Sequence, residues 1–180
     1  MKTDEKITLW SERIHEFQSS GQTCKTWDIT YIPIKRGFLY LTAVIDWHSR
    51  CIVGWEVDDT LDTRMVINAL KKAFKVAKPQ ILNSDQGCQF TSQQYIDFVK
   101  ENGIRQSMDG KSRWADNIMI ERWFRSFKYE EAYLTQYNNI KEARAAIGQY
   151  IHTTTLSGVI PHLTIRHRLN ATIQQCYCHM

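Results

Sequence analysis

Three acidic residues stand where the packing of an apolar core would not put them. Asp28 interrupts the strand-like run WDITYIPI, Asp85 closes QILNSD ahead of Gln86-Gly87, and Glu121 sits in IMIERWFRSF among aromatic and aliphatic neighbours. A carboxylate inside an apolar element costs free energy unless it is paired or bound to a metal. Hard cations such as Mg²⁺ take oxygen ligands, and Asp and Glu bring compensating charge with theirs. Two such ions about 3.5–4 Å apart can activate a water or a 3′-hydroxyl on one side of a phosphodiester and stabilise the leaving oxygen on the other. The three acids together suggest a bound cation. Each alone has an ordinary explanation: an edge-strand residue facing water for Asp28, an Asx-turn for Asp85, a solvated helix face for Glu121. Asp46, in VIDWHSR, is a fourth candidate, and the ordinary reading is preferred there: a turn-capping carboxylate hydrogen-bonded near Ser49 and Arg50.

The elements that must carry these acids are legible from periodicity. WDITYIPI and FLYLTAVIDWH, joined by KRG, read as a hairpin, and RCIVGWEV at 50–57 extends it to a three-strand meander. Residues 62–77 place Met65, Ile67, Ala69, Leu70, Ala73, Phe74 and Val76 at helical spacing behind an Asp62 or Thr63 cap, ending before Pro79. QILNSD reads as a fourth strand, TSQQYIDFVKEN as a helix closed by Gly103, and IRQSM as a fifth strand; the polar and basic loop DGKSRW then leads to a long helix from about Ala115. The order β-β-β-α-β-α-β-α predicts an α/β sandwich with a mixed five-stranded sheet. On that long helix Asn117, Glu121, Arg125 and Lys128 fall in one stripe, with Ile120, Phe124 and Phe127 on an adjacent face. The apolar face would pack on the sheet, Glu121 would point toward the strand ends, and Arg125 and Lys128 would continue toward a phosphate backbone. A row of ordinary surface pairs would produce the same stripe.

The spans WDITYI, LYLTAVIDWHSR, NSDQGCQFTS and GKSRWADNIMIERWFRSFKYEEAYL, in this order, resemble the bacterial insertion-sequence transposases of the retroviral integrase superfamily, in the group whose transposase is made by joining two overlapping reading frames. The resemblance covers about residues 27 to 152, and its most specific element is the thirty-five residues between Asp85 and Glu121. It implies an RNase H-like fold with the first acid on the first strand, the second after the fourth strand and the glutamate on a helix. It assigns catalysis to Asp28, Asp85 and Glu121. Asp28 and Asp85 would hold one of two Mg²⁺ ions, and Asp28 and Glu121 the other, with Mn²⁺ able to substitute. The implied reaction is cleavage and strand transfer at a DNA phosphodiester by in-line attack. Asn117, Arg125 and Lys128 would face DNA, as would Lys111, Arg113 and Trp114, a basic and aromatic loop suited to phosphate contact and stacking. The plain alternative for that loop is a solvated segment whose Trp114 packs on the domain.

Bulk properties agree without deciding the matter. The chain has 23 Lys and Arg against 19 Asp and Glu, a formal +4 that suits a polyanion but does not demand one. Five cysteines without paired C-x₂-C spacing indicate neither a disulfide framework nor a zinc finger. With no apolar leader or long apolar run, a soluble chain in the bacterial cytoplasm, away from membranes, is expected. Residues 1–26 read as a helical extension carrying Trp10, Ile14 and Phe17, with a faint likeness to the small helper proteins of other elements. The helix-turn-helix region that family members place before the core is not recognisable, so recognition of transposon ends is expected from elsewhere, through self-association or pairing with a transposase that carries it. Residues 153–180 depart from the family pattern and read as a frameshifted tail, so that His162, Cys176 and Cys178 are not taken as a metal site. The expected function is a DNA transposase core; the alternative is a catalytically silent remnant that binds DNA or interferes with a full-length transposase. A general RNase H-type nuclease shares the fold and metals but not the 35-residue spacing.

Overall fold

A computed structural model of the chain describes residues 23–84, 92–108 and 117–156. Among the described residues five strands and four helices follow the order β1 (Cys24–Ile34), β2 (Gly37–Asp46), β3 (Ile52–Asp58), α1 (Thr63–Val76), β4 (Ile81–Ser84), α2 (Gln93–Glu101), β5 (Arg105–Met108), α3 (Ile118–Phe127), a π-helical turn (Lys128–Ala132) and α4 (Ile140–Leu156). The sheet order is β3-β2-β1-β4-β5: the hairpin strands pair antiparallel, and β4 and β5 run parallel to β1. This is the mixed five-stranded sheet expected from the sequence.

Strand alternation divides the core between the two faces of the sheet. Trp27, Val44 and Leu82 pack with Val66, Leu70 and Ala73 of α1 and with Tyr95 and Val99 of α2. Ile32, Leu39, Leu41, Ala43 and Ile45 pack on the opposite face with Ile120, Phe124 and Phe127 of α3 and Ala143, Ile147 and Ile151 of α4. Asp62 caps α1 by accepting from Arg64 N, and Ser92 caps α2 by accepting from Tyr95 N, so each helix start satisfies an orphan donor locally. Gly103, at φ +63°, closes α2 in the left-handed conformation that glycine adopts without a Cβ penalty. The fully buried Trp27 donates from Nε1 to Tyr95 Oη at 3.1 Å, anchoring α2 under β1, and burial pushes the Tyr95 hydroxyl up to about 12. Among the described residues no helix is long and apolar enough to cross a membrane.

Two elements depart from the sequence reading. α4 was not anticipated, and it runs without a break across position 153. The long helix is described from Ile118, its expected start near Ala115 lying outside the described residues, and it widens into a π-helical turn after Phe127.

Candidate metal and DNA site

Asp28 lies in the middle of β1, opposite Ala43 of β2. Alternation along both strands places it on the sheet face that α3 and α4 cover, because Ala43 and Ile32 belong to that core. It is half-buried, and its Oδ1 accepts from Ile29 N at 2.7 Å. Glu121 stands on the first turn of α3, exposed, while its neighbours Ile120, Trp123 and Phe124 are buried. The helix thus does what its periodicity predicts: the apolar stripe seats it against β1 and β2, leaving the glutamate on the solvent side. Arg125 is likewise exposed and Lys128 half-buried on the same flank. Asn117 differs. It is buried at the start of α3, with no side-chain cap bond, and its carbonyl accepts from Glu121 N at 3.0 Å.

Asp85, Lys111, Arg113 and Trp114 lie outside the described residues. The parallel register of β1 and β4 pairs Cys24 with Ile81, Lys25 with Leu82 and Thr26 with Asn83, and β4 ends at Ser84, the residue before Asp85. Among the described residues no group of three or more His, Cys, Asp or Glu is placed to hold a metal. Asp28 and Glu121, on one face of the sheet, still fit a hard cation in donor type, since both supply carboxylate oxygens. Two buried side chains near them have unmet polar capacity: neither amide atom of Asn83 has a partner, nor does Asn117 Oδ1. Buried polar groups are nearly always satisfied, and Thr42 Oγ1, Ser84 Oγ and Gln106 Nε2 share this condition elsewhere on the sheet. The sequence reading missed Asn83. In QILNSD it is one of four polar residues, so its burial carries no local signal.

Asp46 belongs to the scaffold. Its Oδ2 accepts from Ser49 N and Oγ, the turn-capping role expected for it, and its Oδ1 also accepts from Lys25 Nζ at 3.0 Å. The Lys25 side chain is only 2% exposed, and among the described residues this cation is held by its ion pair with Asp46 across β1 and β2. Burial works to raise the Asp46 carboxyl, but the Lys25 ammonium and the Ser49 donors outweigh it and hold the group below its ordinary value. A carboxyl depressed by folding contributes stability above its unfolded pKa and loses that contribution as pH falls through the lower folded value. Lys25→Met is expected to cost about 2–3 kcal/mol near neutrality, below the cost of stranding a fully buried charge because Asp46 keeps its Ser49 bonds. Urea unfolding measured from neutral pH into acid checks this: the difference between wild type and variant should shrink as pH drops below the carboxylate range, and a constant difference would refute the pairing account.

Residues 21–113 match the Integrase core domain family. The chain is 36% identical over 134 residues to the transposase for insertion sequence element IS904 of Lactococcus lactis subsp. lactis, over 72% of this chain and 53% of that protein. It is 33% identical over 141 residues to transposase InsF for insertion sequence IS3A of Escherichia coli, over 76% of this chain and 49% of that protein. The chain thus spans about half the length of the curated relatives it matches. The HTLV-2 integrase catalytic core domain, solved in complex with magnesium in a dimeric form, superposes with a TM-score of 0.52 at 20% identity, over 73% of this chain and 84% of that one. A chain of the simian T-cell lymphotropic virus intasome, solved in complex with PP2A regulatory subunit B56 gamma, superposes with a TM-score of 0.64 at 18% identity, over 86% of this chain and 54% of that one. At these identities the likeness concerns the fold, which is the RNase H-like fold of integrase cores.

Proposed function

Because this chain belongs to the integrase core domain family, as insertion-sequence transposases do, we propose that it cleaves DNA phosphodiesters and transfers the resulting strand ends, using divalent metal held by Asp28, Asp85 and Glu121. The observation that carries this reading is the placement of Asp28 at mid-strand and Glu121 on α3, on one face of the sheet, with β4 ending immediately before Asp85. Asp28 would be shared between two ions, with Asp85 and Glu121 each completing one set. When bound, Mg²⁺ supplies Lewis acidity and lowers the pKa of the attacking water or 3′-hydroxyl. The chain's own contribution is to fix the elements that carry the carboxylates: β1 is held between β2 and β4, and α3 is anchored by its buried face.

Arg125 and Lys128, on the flank of α3 that carries Glu121, would position the phosphate backbone, as would Lys111, Arg113 and Trp114; Asn117, buried at the start of α3, is left out of these contacts. DNA is the proposed substrate. A second copy, or a transposase carrying an end-recognition region, is the proposed partner for bringing two ends together.

The test is nicking of supercoiled plasmid and joining of labelled duplex ends with Mg²⁺, Mn²⁺ or EDTA. Products that appear only with metal support the proposal. Salt-sensitive DNA binding without products under any metal would sink it in favour of the catalytically silent remnant.

A further inference from the structure

Exposed residues continue beyond Glu121 at four-residue intervals, from Arg125 on α3 to Tyr129 in the π-helical turn and Tyr133 just after it. The Arg125 guanidinium lies 5.9 Å from the centroid of the Tyr129 ring, and Tyr129 meets Tyr133 edge-on at 5.7 Å. Beside this row Lys128 Nζ sits 4.7 Å from the Tyr31 ring, and Tyr31 meets Phe38 edge-on at 5.8 Å across the β1–β2 hairpin. All four rings are more than half exposed. Strand alternation turns Tyr31 and Phe38 away from Ile32 and the α3 face, so the rings form two pairs that Lys128 bridges round the edge of β1. Aromatic side chains that size normally bury most of their surface, and rings left this exposed mark a surface for a ligand.

The chemistry of the patch favours one occupant. Its cations lie against the rings, and Lys35 and Arg36 are exposed at the adjoining hairpin turn, which is tied down by Lys35 N donating to Tyr137 O at 3.0 Å. The acids of the π-helical turn are engaged by other groups: Glu130 accepts from Tyr150 Oη, and Glu131 from Tyr137 Oη and Thr135 Oγ1. A surface of exposed rings interleaved with cations is what a single nucleic-acid strand requires, each ring offering a stacking plane and each cation a phosphate contact. At 1.5 Å per helical residue Tyr129 is about 12 Å along the axis from Glu121, three or four nucleotide steps at duplex spacing.

We propose that the Tyr129–Tyr133 pair and, round the edge of β1, the Tyr31–Phe38 pair bridged to it by Lys128 form a stacking platform for unpaired bases of the DNA strand that leads to or from the Glu121 site. This rests on the DNA-processing reading above and adds that the strand is held unpaired next to the site.

Fluorescence anisotropy in EDTA, with a labelled single-stranded oligonucleotide and a duplex of the same length, tests it without catalysis. Tyr31→Ala and Tyr129→Ala should each weaken single-strand binding by about tenfold, while Tyr129→Phe should retain it and duplex binding should change by less than about twofold. Unchanged melting temperatures would confirm that these exposed substitutions leave the fold intact. Equal losses on single strand and duplex, or no loss on either, would overturn the platform, as would loss of self-association by sedimentation with DNA binding intact, which would assign the patch to a second copy. Plasmid nicking by the wild type separates the two levels: nicking with no effect of the ring variants on single-strand binding overturns the platform alone, and absence of nicking overturns the catalytic reading while the anisotropy result stands.

Discussion

Glu121→Gln is expected to remove metal-dependent plasmid nicking, lowering the rate by about a thousandfold or more. The magnitude follows from what a ligand does in this chemistry: metal stabilisation of the developing charge is worth several kcal/mol, and each 1.36 kcal/mol is a factor of ten in rate. Gln keeps the shape and hydrogen-bonding reach of the side chain but not its charge. Glu121 is exposed on a helix seated by Ile120, Phe124 and Phe127, so the substitution leaves the core untouched, and circular dichroism and melting temperature should match the wild type. A readout independent of turnover is the rise in melting temperature on adding Mn²⁺, which mass action requires of any ion that binds only the folded chain. The wild type should show it, and Glu121→Gln and Asp28→Asn should show it weakly or not at all. Full nicking by a well-folded Glu121→Gln protein would remove the glutamate from the site.

Much of this arrangement is carried by local pattern. The hairpin is legible because β-branched and aromatic runs flank the short turn KRG, and α1 because its apolar residues recur at helical spacing behind Asp62. The stripe of α3 is legible for the same reason, and the observed burial of Ile120, Phe124 and Phe127 against exposure of Glu121 and Arg125 follows from it. Features that depend on residues far apart in sequence are not legible. Nothing local announces that Lys25 is buried, since its partner Asp46 is 21 residues away and becomes one only through the β1–β2 register. Asn117 shares the stripe of Glu121 by spacing, yet it is buried at the helix start, which the spacing did not announce. α4 escaped notice because its buried face is a thin line of Ala143, Ile147 and Ile151, and its last turns carry Thr153, Thr154 and Thr155, β-branched residues that favour strands over helices. The π-helical turn has no sequence signal that we can identify.

Gly54→Val is expected to destabilise the fold by about 3 kcal/mol or more, at the upper end of what overpacking costs. Gly54 lies in β3 where α1 crosses the sheet. A Cβ at that position would run into the carbonyl oxygen of Ala69 and would come within 2.8 Å of both Ala73 N and Ala73 Cβ. These are backbone atoms and the first carbon of a small side chain, so no rotamer change can make room; α1 would have to lift from β3. Ala69 and Ala73 are themselves fully buried with Val66 and Leu70 in the core under this helix, and lifting it would loosen all of those contacts. The small residues at this crossing therefore set how closely α1 approaches the sheet. Urea unfolding should show a lowered midpoint for Gly54→Val, with Gly54→Ala falling between it and the wild type. Replacing Gly37, whose added Cβ would meet nothing within 4 Å, tests the backbone alone: its φ of +122° makes any substitution strained, but without the helix displacement. If Gly54→Val unfolded at the wild-type midpoint, α1 could not be packed on β3 as closely as described, and the support this face lends to β1 and Asp28 would have to come from elsewhere.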